Sequence, residues 1–446
     1  MFTMTRRQAR SLRAVARKCV PKGGSRVPDP ALTLTVGPDG PFAYATVGYV
    51  TVGCRVPDPR DPAATLSMPL SALAACEGSD PLLVTLEAAD AGVRLSWADR
   101  GQARTETAPL VRRPFVPPAA PAVFDVVSPA FLNALHEAGR CAAGEDTKYA
   151  VSRLQVRGVP GQVVGTDSKQ ALVHGGFRLP FQDDVLVPAL PVFGLKELTR
   201  DGPVRVGRTK AGLCVGAGEW LIWLPADADA GFPDVDGVVR RTQGGTRLVV
   251  GDADAARLVA DLPKMPKAGE AYAPVTVMVG QKPALGAGAV HVRLAASEGS
   301  GPPATWTMNR AYLHRALLLG FRDFSTKKAT SSLVATNGAH TYLFALLDAD
   351  PAVPAPPEPA AVASASPATQ GVSRMRPPDP HRRPEPPLDD EAPDLPAEVD
   401  ALRAVLGDAL TRAGRLAGLL KHDRKQRKAV ASVLSSLQQL KLGSGG

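Results

Sequence analysis

The chain has no apolar run approaching the roughly 18 residues that a membrane-spanning helix requires. Its basic N-terminus also lacks the apolar stretch of a signal peptide. Both absences predict an intracellular, cytoplasmic protein. The five cysteines, Cys19, Cys54, Cys76, Cys141 and Cys214, are odd in number, scattered, and never spaced as C-x-x-C. Neither a disulfide framework nor a zinc site has support, and buried free thiols are expected. His136, His174, His291, His314, His340, His381 and His422 never fall in a His-Glu-x-x-His spacing. Missing too are a Gly-x-Ser-x-Gly elbow, a phosphate loop and a dinucleotide loop. The expectation is a non-catalytic protein with no catalytic residue, metal or cofactor. Thr166-Asp167-Ser168-Lys169 superficially pairs a serine with a lysine, but Asp and Ser between two strands more commonly hold the backbone of a turn. A hydrolase is the weakest of the readings.

What the chain does have is positive charge and repetition. Lysine and arginine number 52 against 43 acidic residues, a net charge of +9 with a pI of about 9.4. That balance favours polyanionic partners, although a basic protein with nothing to bind has the same composition. Three times, a short polar-capped helix is followed by strand-like sequence, a second short helix and more strands. The first helices open at Thr5, Ser128 and Asp252, and the second near Pro69, Pro188 and Asn309, at intervals of 119 to 124 residues. A period this regular means one structural unit used three times.

The expected units are residues 1–118, 123–241 and 246–350 of an α+β protein, each with two helices against β-sheet. Runs such as Leu32–Val36, Leu83–Leu86, Gln162–Gly165, Val185–Val187, Val204–Val206, Val275–Val279, Val290–Leu294 and Tyr342–Leu347 are aliphatic and β-branched between Gly, Pro and Asp. They read as strands. Residues 351–397 are rich in proline and alanine with few large apolar side chains, so a solvated, disordered linker is expected. Residues 398–442 place Val399, Leu402, Leu406, Ala409, Ala413, Leu416 and Leu420 at steps of three and four, which predicts a C-terminal helix or coiled coil. Its basic run, Lys421, Arg424, Lys425, Arg427 and Lys428, fits either a solvated face or a nucleic-acid or partner contact.

Gly165-Thr166-Asp167-Ser168-Lys169-Gln170-Ala171 and Gly231-Phe232-Pro233-Asp234, with Val187-Pro188, Met68-Pro69 and Phe2-Thr3, resemble the bacterial DNA polymerase III beta sliding clamp family. The resemblance covers residues 1 to about 349 and is strongest from Val123 to Val239. It implies three clamp domains per chain and a homodimer closed head to tail around duplex DNA. It also implies a processivity role in DNA replication, with polymerase and clamp-loader subunits as partners and a nucleoid-associated location.

The residues bear on that implication. Thr5 and Gln8 have capping-box spacing, and Arg6, Arg10, Arg13 and Arg17 fall on one side of the helix they open, opposite Ala9, Leu12, Ala16 and Cys19. An arginine row of this kind tracks phosphates without reading sequence, and a solvated helix face is the plain alternative. Lys196, Arg200 and Arg310 extend the DNA-binding set, whereas Asp252, Asp254 and Asp261 make one helix acidic. The family's partner-peptide pocket, for motifs of the Gln-Leu-x-Leu-Phe type, maps to Val151, Thr166, Lys169, Ala171, Pro233, Val238, Leu343 and Ala345. Lys169 stands where the family has histidine and Ala171 where it has leucine. Near the chain end, Gln439-Leu440-Lys441-Leu442 is similar to the first four residues of such a peptide, or is simply a glycine-capped helix end. The alternative function is a divergent clamp paralogue that serves as a protein-interaction adaptor without a ring.

Overall fold

In the computed structural model, the described residues are 1–347, apart from 21–27, 38–39, 61–64, 112–115, 117, 200–201, 229, 267–272 and 329–331. The expected linker, the C-terminal helix with its basic run, the Gln439–Leu442 motif and Arg200 all lie outside them.

Six α-helices are present among these residues: α1 (Arg6–Lys18), α2 (Ala130–Cys141), α3 (Lys196–Thr199), α4 (Val235–Thr242), α5 (Asp252–Asp261) and α6 (Arg310–Leu318). Helix α1 begins where the capping box requires: Thr5 Oγ1 accepts from the Gln8 amide at 3.0 Å, and Gln8 Oε1 accepts from the Thr5 amide at 3.0 Å. Arg17 and Lys18 in its last turn complement the negative end of the helix dipole. Ala9, Leu12, Val15 and Ala16 recur at helical spacing and are buried. Asn309 caps α6 by accepting from the Ala311 amide at 2.9 Å. The second helices of the first two repeats are tighter than expected. They are short 3₁₀ segments, Leu70–Ala74 and Pro191–Gly194, and α3 follows the latter.

The strands form four antiparallel sheets, and each expected unit contributes to two of them. An eight-stranded sheet runs in the order Leu66–Pro69, Ala31–Gly37, Gly40–Val47, Val50–Arg55, Trp220–Pro225, Gly212–Ala217, Val204–Thr209, Asp125–Val127. Its halves come from the first and second units. They meet where Thr51–Cys54 pairs with Trp220–Trp223. A nine-stranded sheet joins the second unit to the third in the same manner, Gln170–His174 pairing with His340–Phe344. Two four-stranded sheets complete the set, Phe2–Thr5, Leu83–Ala89, Gly92–Asp99, Gln102–Ala108 at one end of the repeat and Ala304–Asn309, Pro274–Val279, Ala284–Ala287, Val290–Arg293 at the other.

Each of the six half-sheets contains a three-strand meander whose last strand lies at a junction between units or at a sheet edge. Four of these strands are joined within the chain. The other two, Gln102–Ala108 and Val290–Arg293, lack a partner on their outer side among the described residues. The two largest apolar clusters run from Phe2 to Leu224 and from Cys141 to Leu346, so the cores cross from unit to unit much as the sheets do. At the second crossing, Arg315 of α6 donates to Glu137 of α2 at 2.8 Å.

Candidate nucleic-acid and peptide interfaces

Helix α1 carries its charge on a different face from the one that spacing alone predicts. Arg6 is only 12% exposed: its guanidinium bridges Asp80 at 3.1 Å and Asp99 at 3.2 Å, and donates to the Cys76 carbonyl at 3.1 Å. Arg13 is half-buried and paired with Glu77. Both tie the helix to its own unit, so they leave the expected solvent-facing row. Arg7, Arg10, Arg17 and Lys18 are exposed instead. Arg10, Arg17 and Lys18 make no ion pair among the described residues, and Arg7 donates to the Ser79 carbonyl at 3.1 Å. At 100° per residue these four still occupy one side of the helix, rotated from the predicted centre.

The other cations divide similarly. Lys196 is exposed at the start of α3. Arg310 is 6% exposed and donates to the carbonyls of Leu262, at 3.0 Å, and Met265. Those carbonyls close the short segment after α5, and burial removes Arg310 from any phosphate-contacting set. Of the acidic residues that appeared to oppose DNA on α5, Asp254 is internal. It accepts from the Ala296 amide and the Ser297 hydroxyl, both at 2.8 Å. Asp252 is exposed and paired with Arg322 at 3.0 Å.

The residues assigned to a peptide pocket are brought together around the second sheet junction. Ala171 lies opposite Leu343, and the Ala345 amide donates to the Lys169 carbonyl at 2.8 Å. Ala171 and Leu343 belong to a small apolar cluster with Val164, Val173, Val235 and Val334, onto which Phe232, Val238 and Val239 pack. Val151 is fully buried nearby, where the Ala150 amide donates to the Gly231 carbonyl at 2.9 Å and fixes the approach of Phe232 and Pro233. Pro233, Val238 and Ala345 remain partly exposed, and Lys169 is exposed. Helix α4 supplies Val238 and had no counterpart in the expected two-helix unit. Its signal was present in Asp234 followed by Val235, Val238 and Val239 at helical steps; Asp234 accepts from the Gly237 amide at 2.8 Å.

The Thr166–Lys169 turn is held by its own polar groups. Thr166 Oγ1 accepts from the Ser168 amide at 3.1 Å and donates to the Gln170 carbonyl at 2.7 Å, while Asp167 Oδ1 accepts from the amides of Lys169 and Gln170. Ser168 has a φ of 74° and serves the turn. All five cysteines are buried and free, and burial pushes the Cys19 thiol up to about 12 and Cys76 up to about 11. No helix among the described residues is long and apolar enough to cross a membrane, and no group of three or more His, Cys, Asp or Glu is placed to hold a metal ion.

A repeated unit of helices on half-sheets, joined last strand to last strand, is the architecture of a DNA sliding clamp. Solved structures carry the same architecture. The DNA polymerase III subunit beta from Pseudomonas aeruginosa superposes with a TM-score of 0.61 at 19% identity, over 78% of this chain and 99% of that one. The beta subunit from Thermotoga maritima gives 0.61 at 13% over the same shares. The Helicobacter pylori beta clamp bound to a DNA ligase peptide gives 0.58 at 11%, again over 78% and 99%. No protein-family model and no curated protein matches the chain. At these identities the likeness is one of fold: this chain has the sliding-clamp fold on a widely diverged sequence.

Proposed function

We propose that this chain is a divergent sliding clamp, a non-catalytic processivity factor whose two copies close head to tail around duplex DNA and tether replication or repair proteins. The observation that carries the reading is the pair of meander strands Gln102–Ala108 and Val290–Arg293, which have no partner on their outer side among the described residues. They are the counterparts of the four strands that join the units inside the chain. Joining one copy's free strand to the other's, twice, repeats the internal junctions and leaves no half-sheet open. Such closure relieves the exposed edges that otherwise promote uncontrolled pairing. The exposed row Arg7, Arg10, Arg17 and Lys18, with Lys196, supports loose, salt-sensitive contact with phosphates. The apolar cluster around Ala171, Leu343 and Val238 supports docking of a short peptide, as the Helicobacter pylori clamp docks its ligase peptide.

A second reading, an adaptor without a ring, draws support from the internal use of Arg6, Arg13 and Arg310, which thins the cationic face. Light scattering separates the two. The clamp reading requires twice the 46.6 kDa chain mass in solution, and a monomer at tens of micromolar that still binds a Gln-Leu-x-Leu-Phe peptide establishes the adaptor.

A further inference from the structure

The eight-stranded sheet is buried on both faces where the first and second units join. Along Gly40–Val47, Ala43 and Ala45 join the main core, while the alternate residues Phe42 and Tyr44 belong to a separate cluster with Cys214, Leu221 and Trp223, against which Phe124 packs. Period-two alternation puts these two sets on opposite sides of the sheet. The second face spans the junction between the first and second units, because Trp223 lies opposite Thr51 across it.

That face contains a cavity of about 150 Å³, lined by Phe42, Phe124, Trp223, Leu221, Arg55 and Arg205 together with Cys214 and the Ala120-Pro121 connector. Its polar equipment is one-sided. Arg55 stacks over the Phe42 ring at 5.1 Å, and Arg205 stacks over the Phe124 ring at 4.7 Å. Neither guanidinium forms an ion pair among the described residues, and no acidic side chain lines the cavity. Trp223 is 9% exposed, and its indole Nε1, a donor only, is buried without a hydrogen-bond partner. A buried donor left unsatisfied carries a desolvation penalty, which a suitable acceptor recovers. Aromatic walls, two cations stacked on those walls and a tryptophan with an orphan donor thus line one small space.

We propose that this cavity is a binding site for a small aromatic carboxylate. The ring fills a volume suited to a single benzene-sized group, the carboxylate meets the guanidinium of Arg55 or Arg205, and an oxygen of the ligand accepts from Trp223 Nε1. Such a ligand bridges the two units across their sheet junction, so its occupancy stiffens the joint. The site is independent of the peptide-binding cluster at the second junction and of whether the ring closes.

The test is a titration of the full chain with benzoate, followed by tryptophan fluorescence and thermal stability, with benzamide as the neutral isostere and N-acetylphenylalanine as a mimic of a peptide C-terminus. The expected result is saturable benzoate binding that raises the melting temperature, about tenfold weaker for benzamide and for Arg55→Gln/Arg205→Gln. Trp223→Phe abolishes the fluorescence change; if that variant does not fold, the arginine variant decides alone. Tighter binding of N-acetylphenylalanine than of benzoate assigns the site to a chain end, and the reverse assigns it to a free acid. Equal affinity for benzamide, no effect of the double arginine substitution, or no saturation by about 10 mM overturns the proposal.

Discussion

The buried pair Glu137–Arg315 shows how a single contact couples two repeats. Each side chain is 11% exposed, and they come from helices 178 residues apart in sequence. Arg315 also lies over the Tyr342 ring at 5.9 Å, and Tyr342 donates to Gln170 Oε1 at 2.6 Å, so the pair sits in a network that spans the second sheet junction. Removing one partner strands a buried charge. Glu137→Ala is predicted to lower unfolding free energy by about 3–5 kcal/mol in urea, and the matched apolar pair Glu137→Leu/Arg315→Met to lose much less. At the end of the same junction, the His174 ring packs at a tilt against His340 with centroids 4.7 Å apart. Burial foremost, then the neighbouring His340 and, more weakly, Arg315, pull the His174 pKa down to about 4 against the opposing pull of Glu137. The unfolded chain therefore binds this proton first as pH falls, and the stability contributed by neutral His174 is lost between about pH 6.5 and pH 4. His174→Asn is predicted to flatten the stability profile in that window, measured by denaturant midpoints at each pH. Local signals at this scale were legible: the Thr5–Gln8 capping box needs only residues three apart. The burial of Arg6 was not, because Asp80 and Asp99 lie 74 and 93 residues away and no periodicity encodes them.

Among the elements, the repeat spacing located both helix positions of every unit, since caps and punctuation are local. Helix α4 was overlooked because the Phe232-Pro233-Asp234 string reads equally well as a loop. Its N-cap is accessible to a direct test. Asp234→Ala is predicted to cost about 1 kcal/mol of stability and to speed amide exchange across Val235–Thr242. The apolar cluster proposed to take a peptide was named from the sequence as a set of residues, but its packing was not. Strand pairing brings Ala171 beside Leu343, and α4 then covers part of the apolar surface that a groove would expose. Val238→Asp is predicted to weaken a Gln-Leu-x-Leu-Phe peptide at least tenfold by fluorescence polarisation while leaving the sheet junction intact.

For the whole molecule, the decisive feature is the ordering of strands, which no linear pattern shows. Alternation and turn residues indicate that strands exist; only long-range pairing reveals that six meanders share one design and that two of their last strands have no outer partner among the described residues. One of these is open to manipulation. The Arg100-Gly101 loop, with φ values of 51° and 79°, is a two-residue hairpin turn, and Asp99 pairs with Gln102 across it. Counting from that pair, Ala103, Thr105 and Thr107 aim their amides away from the neighbouring strand. Thr105→Pro removes one outward donor without breaking the inner ladder and is predicted to halve the mass seen by light scattering at unchanged circular dichroism. The most direct measurement is retention of the loaded full-length protein on a nicked circular plasmid before and after linearisation. A closed clamp stays on the circle through a high-salt wash and slides off when the DNA is cut; loss from both forms at the same salt, or equal retention on both, contradicts encirclement.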